Sequence, residues 1–192
     1  MHKILPKIFI FLDRYDDHIF DNNSTNIGII YRNYIKRKRE VELTKIARAC
    51  KKKKFKLFIS NDIKLAIKFK AEGIYIPAFN KRKYFGNLEN KNLKIIGSAH
   101  NQKEIKKKIS QNCTAIFLSP VFKIKKKKEN LGLHKFNYLS NQNSVKILAL
   151  GGISKSNIKK LNLLNIQGFG GIEMFKKKPA YKRPAFLKNY FF

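Results

Sequence analysis

Val145-Lys146-Ile147-Leu148-Ala149-Leu150-Gly151-Gly152-Ile153-Ser154 is the stretch on which the fold turns. Its first half is an apolar run without strict alternation, which suits a strand covered on both faces, as in parallel sheets packed under helices. The glycine pair ends that run, and Ser154 opens a polar, helix-compatible segment reaching Leu164. A strand, a tight turn and a helix are predicted in direct succession.

Outward from this unit the same plan repeats. Apolar runs rich in Ile, Val, Leu and Phe occupy residues 7–12, 27–31, 57–60, 73–76, 94–97, 114–118, 145–150 and 168–174. The segments between them mostly read as helices. Residues 37–49 set Val41, Ile46 and Ala49 among charges, and residues 61–70 do the same with Ile63, Ala66, Ile67 and Phe69, with Ser60 or Asn61 as the N-cap. Residues 101–109 and 154–164 follow suit. Strand and helix in alternation signal a parallel α/β sheet, and eight strands favour closure into a (β/α)8 TIM barrel. Residues 123–130 form a charged run without apolar periodicity and are expected to be a mobile loop on the functional face. The tail between Pro179 and Phe192 is expected to dock on the barrel. At 192 residues, with 43% hydrophobic, the chain is expected to be one domain, 1–192, with a sizeable core.

Charge is the abnormal quantity: 43 Lys+Arg against 12 Asp+Glu gives +31. A stripe of that sign would suit a polyanion. The lysines are instead scattered from Lys3 to Lys188, and Ile, Asn and Phe are abundant too. All four residue types have A/T-rich codons, so nucleotide bias is the simpler account and nucleic acid is disfavoured as a partner. Cys50 and Cys113 lack metal-ligand spacing and read as buried free thiols. The apolar start is interrupted at Asp13 and Arg14, so neither a signal peptide nor a membrane span is expected, and a cytoplasmic location follows.

Barrel chemistry sits at the C-terminal strand ends. There the sequence places Arg32, Asn61 and Asp62, Ser98 and His100, Ser119 with Pro120, Gly151-Gly152, and Gly170-Gly171. The glycine pairs fall on the two loops that commonly bind phosphate in barrels, where bare N–H groups and a helix start can meet an anion. They also suit tight turns and close packing. Arg32 offers a fork for phosphate or a surface ion pair. Asp62 can hold Mg2+ or simply begin a helix. His100 can move a proton or cap a loop.

These motifs together resemble a known family. Ile95-Ile96-Gly97-Ser98-Ala99-His100, Ala115-Ile116-Phe117-Leu118-Ser119-Pro120-Val121-Phe122, Leu131-Gly132, Ala149-Leu150-Gly151-Gly152-Ile153 and Gly168 to Ile172 are similar to thiamine-phosphate synthase and its thiazole tautomerase relatives. Asn61-Asp62 and Glu72-Gly73-Ile74-Tyr75-Ile76 extend the likeness upstream.

The resemblance implies a TIM barrel. It also implies a transferase that joins an aminopyrimidine methyl pyrophosphate to a thiazole phosphate, releasing pyrophosphate. It further implies that Arg32, Asn61 and Ser98 hold the pyrophosphate and Lys127 covers it. His100 and Ser119 line the substrate site, Asp62 binds Mg2+, and Gly151, Gly152, Gly170 and Gly171 hold the thiazole phosphate. A homodimer stands open.

The chain departs from the pattern at several places. Ile30 and Tyr34 stand where the synthases carry glutamine and lysine, residues 77–80 bring no second carboxylate, and Ile124 and Lys126 replace threonines. Pro120 occupies the position of the tautomerases' histidine. Two alternatives follow: a tautomerase-like or non-catalytic binder of thiazole phosphate or thiamine phosphate, and a basic nucleic-acid-binding protein. A sugar-phosphate isomerase or aldolase finds no strand-end lysine or glutamate in a catalytic setting.

Overall fold

A computed structural model describes residues 4–21, 26–34, 39–82, 92–124 and 129–175. Strands β1 (Ile8–Leu12), β2 (Ile27–Tyr31), β3 (Lys56–Ser60), β4 (Gly73–Ile76), β5 (Lys94–Ala99), β6 (Ala115–Leu118), β7 (Lys146–Leu150) and β8 (Gly168–Gly171) pair in parallel, each with the next. β8 returns to β1, with Ile8 opposite Phe169 and Ile10 opposite Gly171. The sheet is a closed eight-stranded barrel, the architecture the apolar runs predict.

Register explains why the strands read as continuous apolar runs. Alternate residues face the lumen, and the pairs Phe11 with Ile30, Ile30 with Phe58, Tyr75 with Ile96, Ala115 with Lys146 and Phe117 with Leu148 trace that face around the ring. The intervening residues, Ile10, Ile29, Ile59, Ile74 and Ile147 among them, belong to a second cluster beneath the helices. Both faces of each strand are therefore buried.

The lumen is filled by aromatic rings. Phe117 meets Phe9 at 5.2 Å and Phe11 at 5.3 Å between centroids, both edge-on, and Phe11 meets Tyr75 at 5.3 Å. Such tilted contacts place ring edges on ring faces and add stability beyond area burial. Space for the rings comes from lumen-facing glycines. A Cβ at Gly28 would strike the Phe9 ring, and one at Gly170 would lie 2.8 Å from Phe117 and 2.9 Å from Phe11.

Helices α1 (Asp17–Phe20), α2 (Arg39–Lys53), α3 (Ile63–Lys68), α4 (Gln102–Ile109) and α5 (Gly132–Asn141) pack outside. On α2 the buried face is Leu43, Ile46 and Cys50, while Val41 is exposed. The cap of α3 is Asp62, whose carboxylate accepts from Leu65 N, and not Ser60 or Asn61. The helix expected over 154–164 is a turn followed by a 3-10 helix, Ile158–Leu163. Strand eight ends at Gly171, three residues short of its predicted end, before a 3-10 helix at Glu173–Phe175. Helices α1 and α5 were not anticipated. Both cysteines are buried free thiols, as expected, and burial pushes each up to about 12, where a thiol is inert. No described helix is long and apolar enough to cross a membrane.

At the opposite end from the functional face, Glu72 is gripped by Lys94 at 2.9 Å and Lys56 at 3.3 Å. Burial pushes its carboxyl up, but the hydrogen bonds and charges of the two lysines outweigh this and hold it below its ordinary value. A depressed carboxylate contributes stability that is present above its unfolded value of 4.5 and is lost as the pH falls through the folded value. Glu72→Gln should therefore cost about 1–3 kcal/mol at pH 7 in urea unfolding, with the deficit shrinking below the ordinary carboxylate range. Phe117→Ala empties the middle of the lumen and should cost about 3–5 kcal/mol in the same measurement.

Candidate functional site

The aromatic core stops below the C-terminal rim, where the lumen face changes from rings to hydroxyls. Ser60 and Ser98, the last lumen-facing residues of β3 and β5, are 0% and 5% exposed. Each is held by a tyrosine. Tyr75 in β4 donates to Ser98 Oγ at 2.9 Å, and the Tyr34 hydroxyl lies 2.8 Å from Ser60 Oγ. Burial pushes the Tyr75 phenol up to about 12, so it remains a donor at any physiological pH. Having accepted from Tyr75, Ser98 keeps its own O–H free to donate elsewhere. Tyr34 is also raised by burial, against the opposing pull of Ser60, Arg32 and Arg39.

Arg32 follows β2 directly, its backbone N–H bound to Leu12 O at 2.7 Å. Its guanidinium carbon lies 5.4 Å from the Phe11 ring centroid, a cation–π contact that orients the fork at the top of the core. Beside it, Tyr34 meets Phe79 edge-on at 5.6 Å, and both rings are exposed at the rim. Asn61 turns the chain at φ 56°, a left-handed conformation that asparagine tolerates, and accepts from Asn80 Nδ2 at 2.7 Å.

Asp62 has both carboxylate oxygens engaged. Oδ1 accepts from Leu65 N at 3.0 Å, and Oδ2 faces Arg39 Nη1 at 3.4 Å. The Arg39 Nε is buried without a partner. Among the described residues no three His, Cys, Asp or Glu side chains gather as a metal-ligand group. Among the described residues, Asp62 has no second carboxylate beside it, since Pro77 to Asn80 after β4 bring none.

On the neighbouring strands His100 Nδ1 lies 2.6 Å from Ser119 O and 3.2 Å from Ser119 Oγ. A carbonyl only accepts, so Nδ1 carries the proton and Nε2 of the neutral ring is left as an acceptor. Glu104 Oε2 accepts from His100 N, and Asn101 caps α4. His100 and Ser119 thus form one unit.

Gly151 and Gly152 adopt φ 93° and 71°. A Cβ on the first would lie 2.7 Å from Pro120, and one on the second 2.5 Å from Phe122 O. The pair is laced to the loop after β6, through Val121 N to Leu150 O and Phe122 N to Gly151 O. Asn157 closes the turn by donating to Gly152 O and accepting from Ser154 N. The helix start expected at Ser154 is absent, and a 3-10 helix begins only at Ile158. Gly170 serves the lumen packing described above, and a Cβ on Gly171 would meet Phe175 and Met174. Lys127 lies outside the described residues, as do 125–128 of the charged loop and the tail after Phe175.

Closure of the barrel thus brings Arg32, Asn61, Ser98, His100, Ser119 and the Gly151-Gly152 turn to one end, and diverts Asp62 into a cap and ion pair. Sequence reasoning missed Tyr34 with Ser60 and the Tyr75 partner of Ser98. The signal for Tyr75 was its place two residues beyond Gly73 on the lumen face of β4.

Residues 27–175 match the family model described as thiamine monophosphate synthase. A thiamine-phosphate synthase of Prochlorococcus marinus is 31% identical over 134 residues, covering 66% of this chain and 37% of that relative. One from Prochlorococcus marinus subsp. pastoris is 34% identical over 128 residues, covering 62% of this chain and 35% of the relative. The chain thus spans little more than a third of the length of these two curated relatives. In structure it is similar to thiamine phosphate pyrophosphorylase from Pyrococcus furiosus, with TM-score 0.72, 15% identity, and coverage of 87% of this chain and 85% of that one. With its fold and the greater part of its length matched, the chain belongs to the thiamine monophosphate synthase family.

Proposed function

We propose that the mouth of this barrel joins an aminopyrimidine methyl pyrophosphate to a thiazole phosphate, forming thiamine phosphate and pyrophosphate. The carbon–oxygen bond to pyrophosphate breaks, leaving a stabilised pyrimidine cation. The thiazole nitrogen then donates its electron pair to that carbon. Such a reaction asks for an anion clamp and charge stabilisation more than for a general base.

The observation that carries the reading is the arrangement above the aromatic core. The Ser98 hydroxyl, set by Tyr75, and the Arg32 guanidinium, set by Phe11, stand at the end of a lumen that admits nothing deeper. In this reading Arg32, Ser98 and Asn61 receive the departing pyrophosphate. Gly151 and Gly152, with Gly170 and Gly171, form the thiazole-phosphate side, with His100 and Ser119 between the two. Lys127 would close over the pyrophosphate.

Magnesium, where it accompanies the pyrophosphate, would be held chiefly by phosphate oxygens, because Asp62 already caps α3 and pairs with Arg39. Cationic side chains would carry the rest of the neutralisation.

A second reading, a binder of thiazole phosphate or thiamine phosphate without synthase turnover, is favoured by the same engagement of Asp62 and by Tyr34 in place of a lysine. Incubating the purified chain with both substrates and Mg2+ decides between them, and chromatographic detection of thiamine phosphate is the expected result. Absence of product with thiazole-phosphate binding intact would leave the binder. For Asp62 the expectation is structural: Asp62→Ala should lower stability by about 0.5–2 kcal/mol, as loss of an N-cap does. Thermal unfolding in Mg2+ and in EDTA should show the same deficit.

A further inference from the structure

One buried cation lies outside the mouth. Lys108 on α4 is 1% exposed, in a chain whose positive charge otherwise reads as a solvated coat. Its stem crosses β5 at Gly97, where a Cβ would stand 2.9 Å from Lys108 Cδ and 2.8 Å from Cys113 Sγ. Beyond that gap the ammonium donates to Pro77 O at 2.9 Å, Asn80 O at 3.1 Å and Gln111 Oε1 at 2.8 Å. An ammonium has three N–H groups, and each finds an acceptor.

Gln111, 2% exposed, donates to Asn80 O at 3.2 Å and to Arg82 O. The irregular loop after β4 is therefore gripped through its carbonyls by two buried side chains. The same loop presents Asn80 Nδ2 to Asn61 Oδ1 and the Phe79 ring to Tyr34.

The charge is not needed to fill space. A methionine of similar volume would pack there without the penalty of burying an ammonium, whose hydrogen-bond partners are all uncharged oxygens. Burial lowers the pKa of Lys108, and the nearby Glu104 carboxylate pulls it the other way. What the ammonium supplies and methionine cannot is directed donors for two loop carbonyls that no helix or sheet satisfies, Pro77 O and Asn80 O, and a third for the Gln111 amide that grips the same loop.

We propose that Lys108 is a positioning residue for the pyrophosphate side of the mouth, holding the 77–82 loop so that Asn80 fixes Asn61 and Phe79 supports Tyr34. This rests on the synthase reading for the identity of the ligand, but the mechanical link does not.

Lys108→Met and Asn80→Ala test it together. Hydrogen exchange should show the Asn80 amide, bonded to Pro77 O at 3.0 Å, opening about tenfold or more faster in Lys108→Met. The KM for the pyrimidine pyrophosphate should rise about tenfold in each variant, with the affinity for thiazole phosphate unchanged. The double variant should lose no more than either alone, because both act through one loop.

Unchanged loop exchange in Lys108→Met overturns the proposal, as does an equal loss of thiazole-phosphate affinity. Should that variant not fold, Asn80→Ala, which leaves Lys108 in place, decides: an unaltered KM overturns the proposal. Wild-type protein that neither binds inorganic pyrophosphate nor makes product defeats the synthase reading instead. The exchange result alone then judges Lys108.

Discussion

Five rings, Phe9, Phe11, Phe58, Tyr75 and Phe117, share the space inside the barrel, and their edge-to-face packing constrains everything around them. A lumen so filled needs glycine where strands come nearest the rings, and Gly28 and Gly170 provide it. It also seals the barrel from within. A ligand cannot descend past Ser60 and Ser98, so the chemistry is confined to a shallow ring of side chains just above them. Tyr75 belongs to both regions, with its ring in the core and its hydroxyl on Ser98. The packing that stabilises the fold therefore aims the mouth as well.

The electrostatics of that mouth are one-sided. Among the described residues Arg32 and Arg39 stand at the ends of β2 and α2, Asp62 is spent on a helix cap and on Arg39, and Glu104 on the His100 N–H. Polyphosphate approaching such a site meets fixed positive charge and hydroxyl donors. The wider excess of lysine strengthens the attraction at long range, which raises encounter rates with anions but selects none of them. Under the proposed function, specificity would fall to the short-range geometry at Ser98, Asn61 and the glycine turn.

The strands were legible because burial on both faces writes each of them as an unbroken apolar run. Helix faces were harder to read. Ile67 and Val41 lie near apolar neighbours in sequence yet point to solvent, since the barrel covers Leu43, Ile46 and Leu65 instead. Helix α5 begins at a glycine and carries Asn137 and Asn141, weak helix formers that tertiary packing of Phe136 and Leu139 overrides. After β7, Asn157 bonds back to Gly152 and Ser154, and this local alternative displaces the expected helix start. Strand-end position was enough to place Arg32, Asn61 and Ser98 at the mouth. The hydroxyl pairs join residues of different βα units, so no local pattern marks them. Lys108 was invisible for a simpler reason: in a helix reading Gln-Lys-Glu-Ile-Lys-Lys-Lys-Ile, one buried lysine looks like its solvated neighbours.

The two sides of the mouth are built from different material, and this bears on how each can tolerate change. On the β6–β7 side the geometry is fixed by main-chain bonds, Val121 N to Leu150 O, Phe122 N to Gly151 O and Gly132 N to Val121 O, with glycines whose φ values no other residue adopts easily. Backbone N–H groups can bind an anion there whatever side chains surround them. On the β2–β4 side the work falls to side chains: Arg32 over a ring, Asn61 held by Asn80, Ser60 held by Tyr34. Each can be exchanged singly, and the loss is made good only if a neighbour supplies an equivalent contact. Tyr34 packs against Phe79 and Asn61 against Asn80, so this half leans on the loop that Lys108 secures from beneath. A buried cation that fixes a loop is thus the kind of compensation a side-chain-built half requires, and a backbone-built half does not.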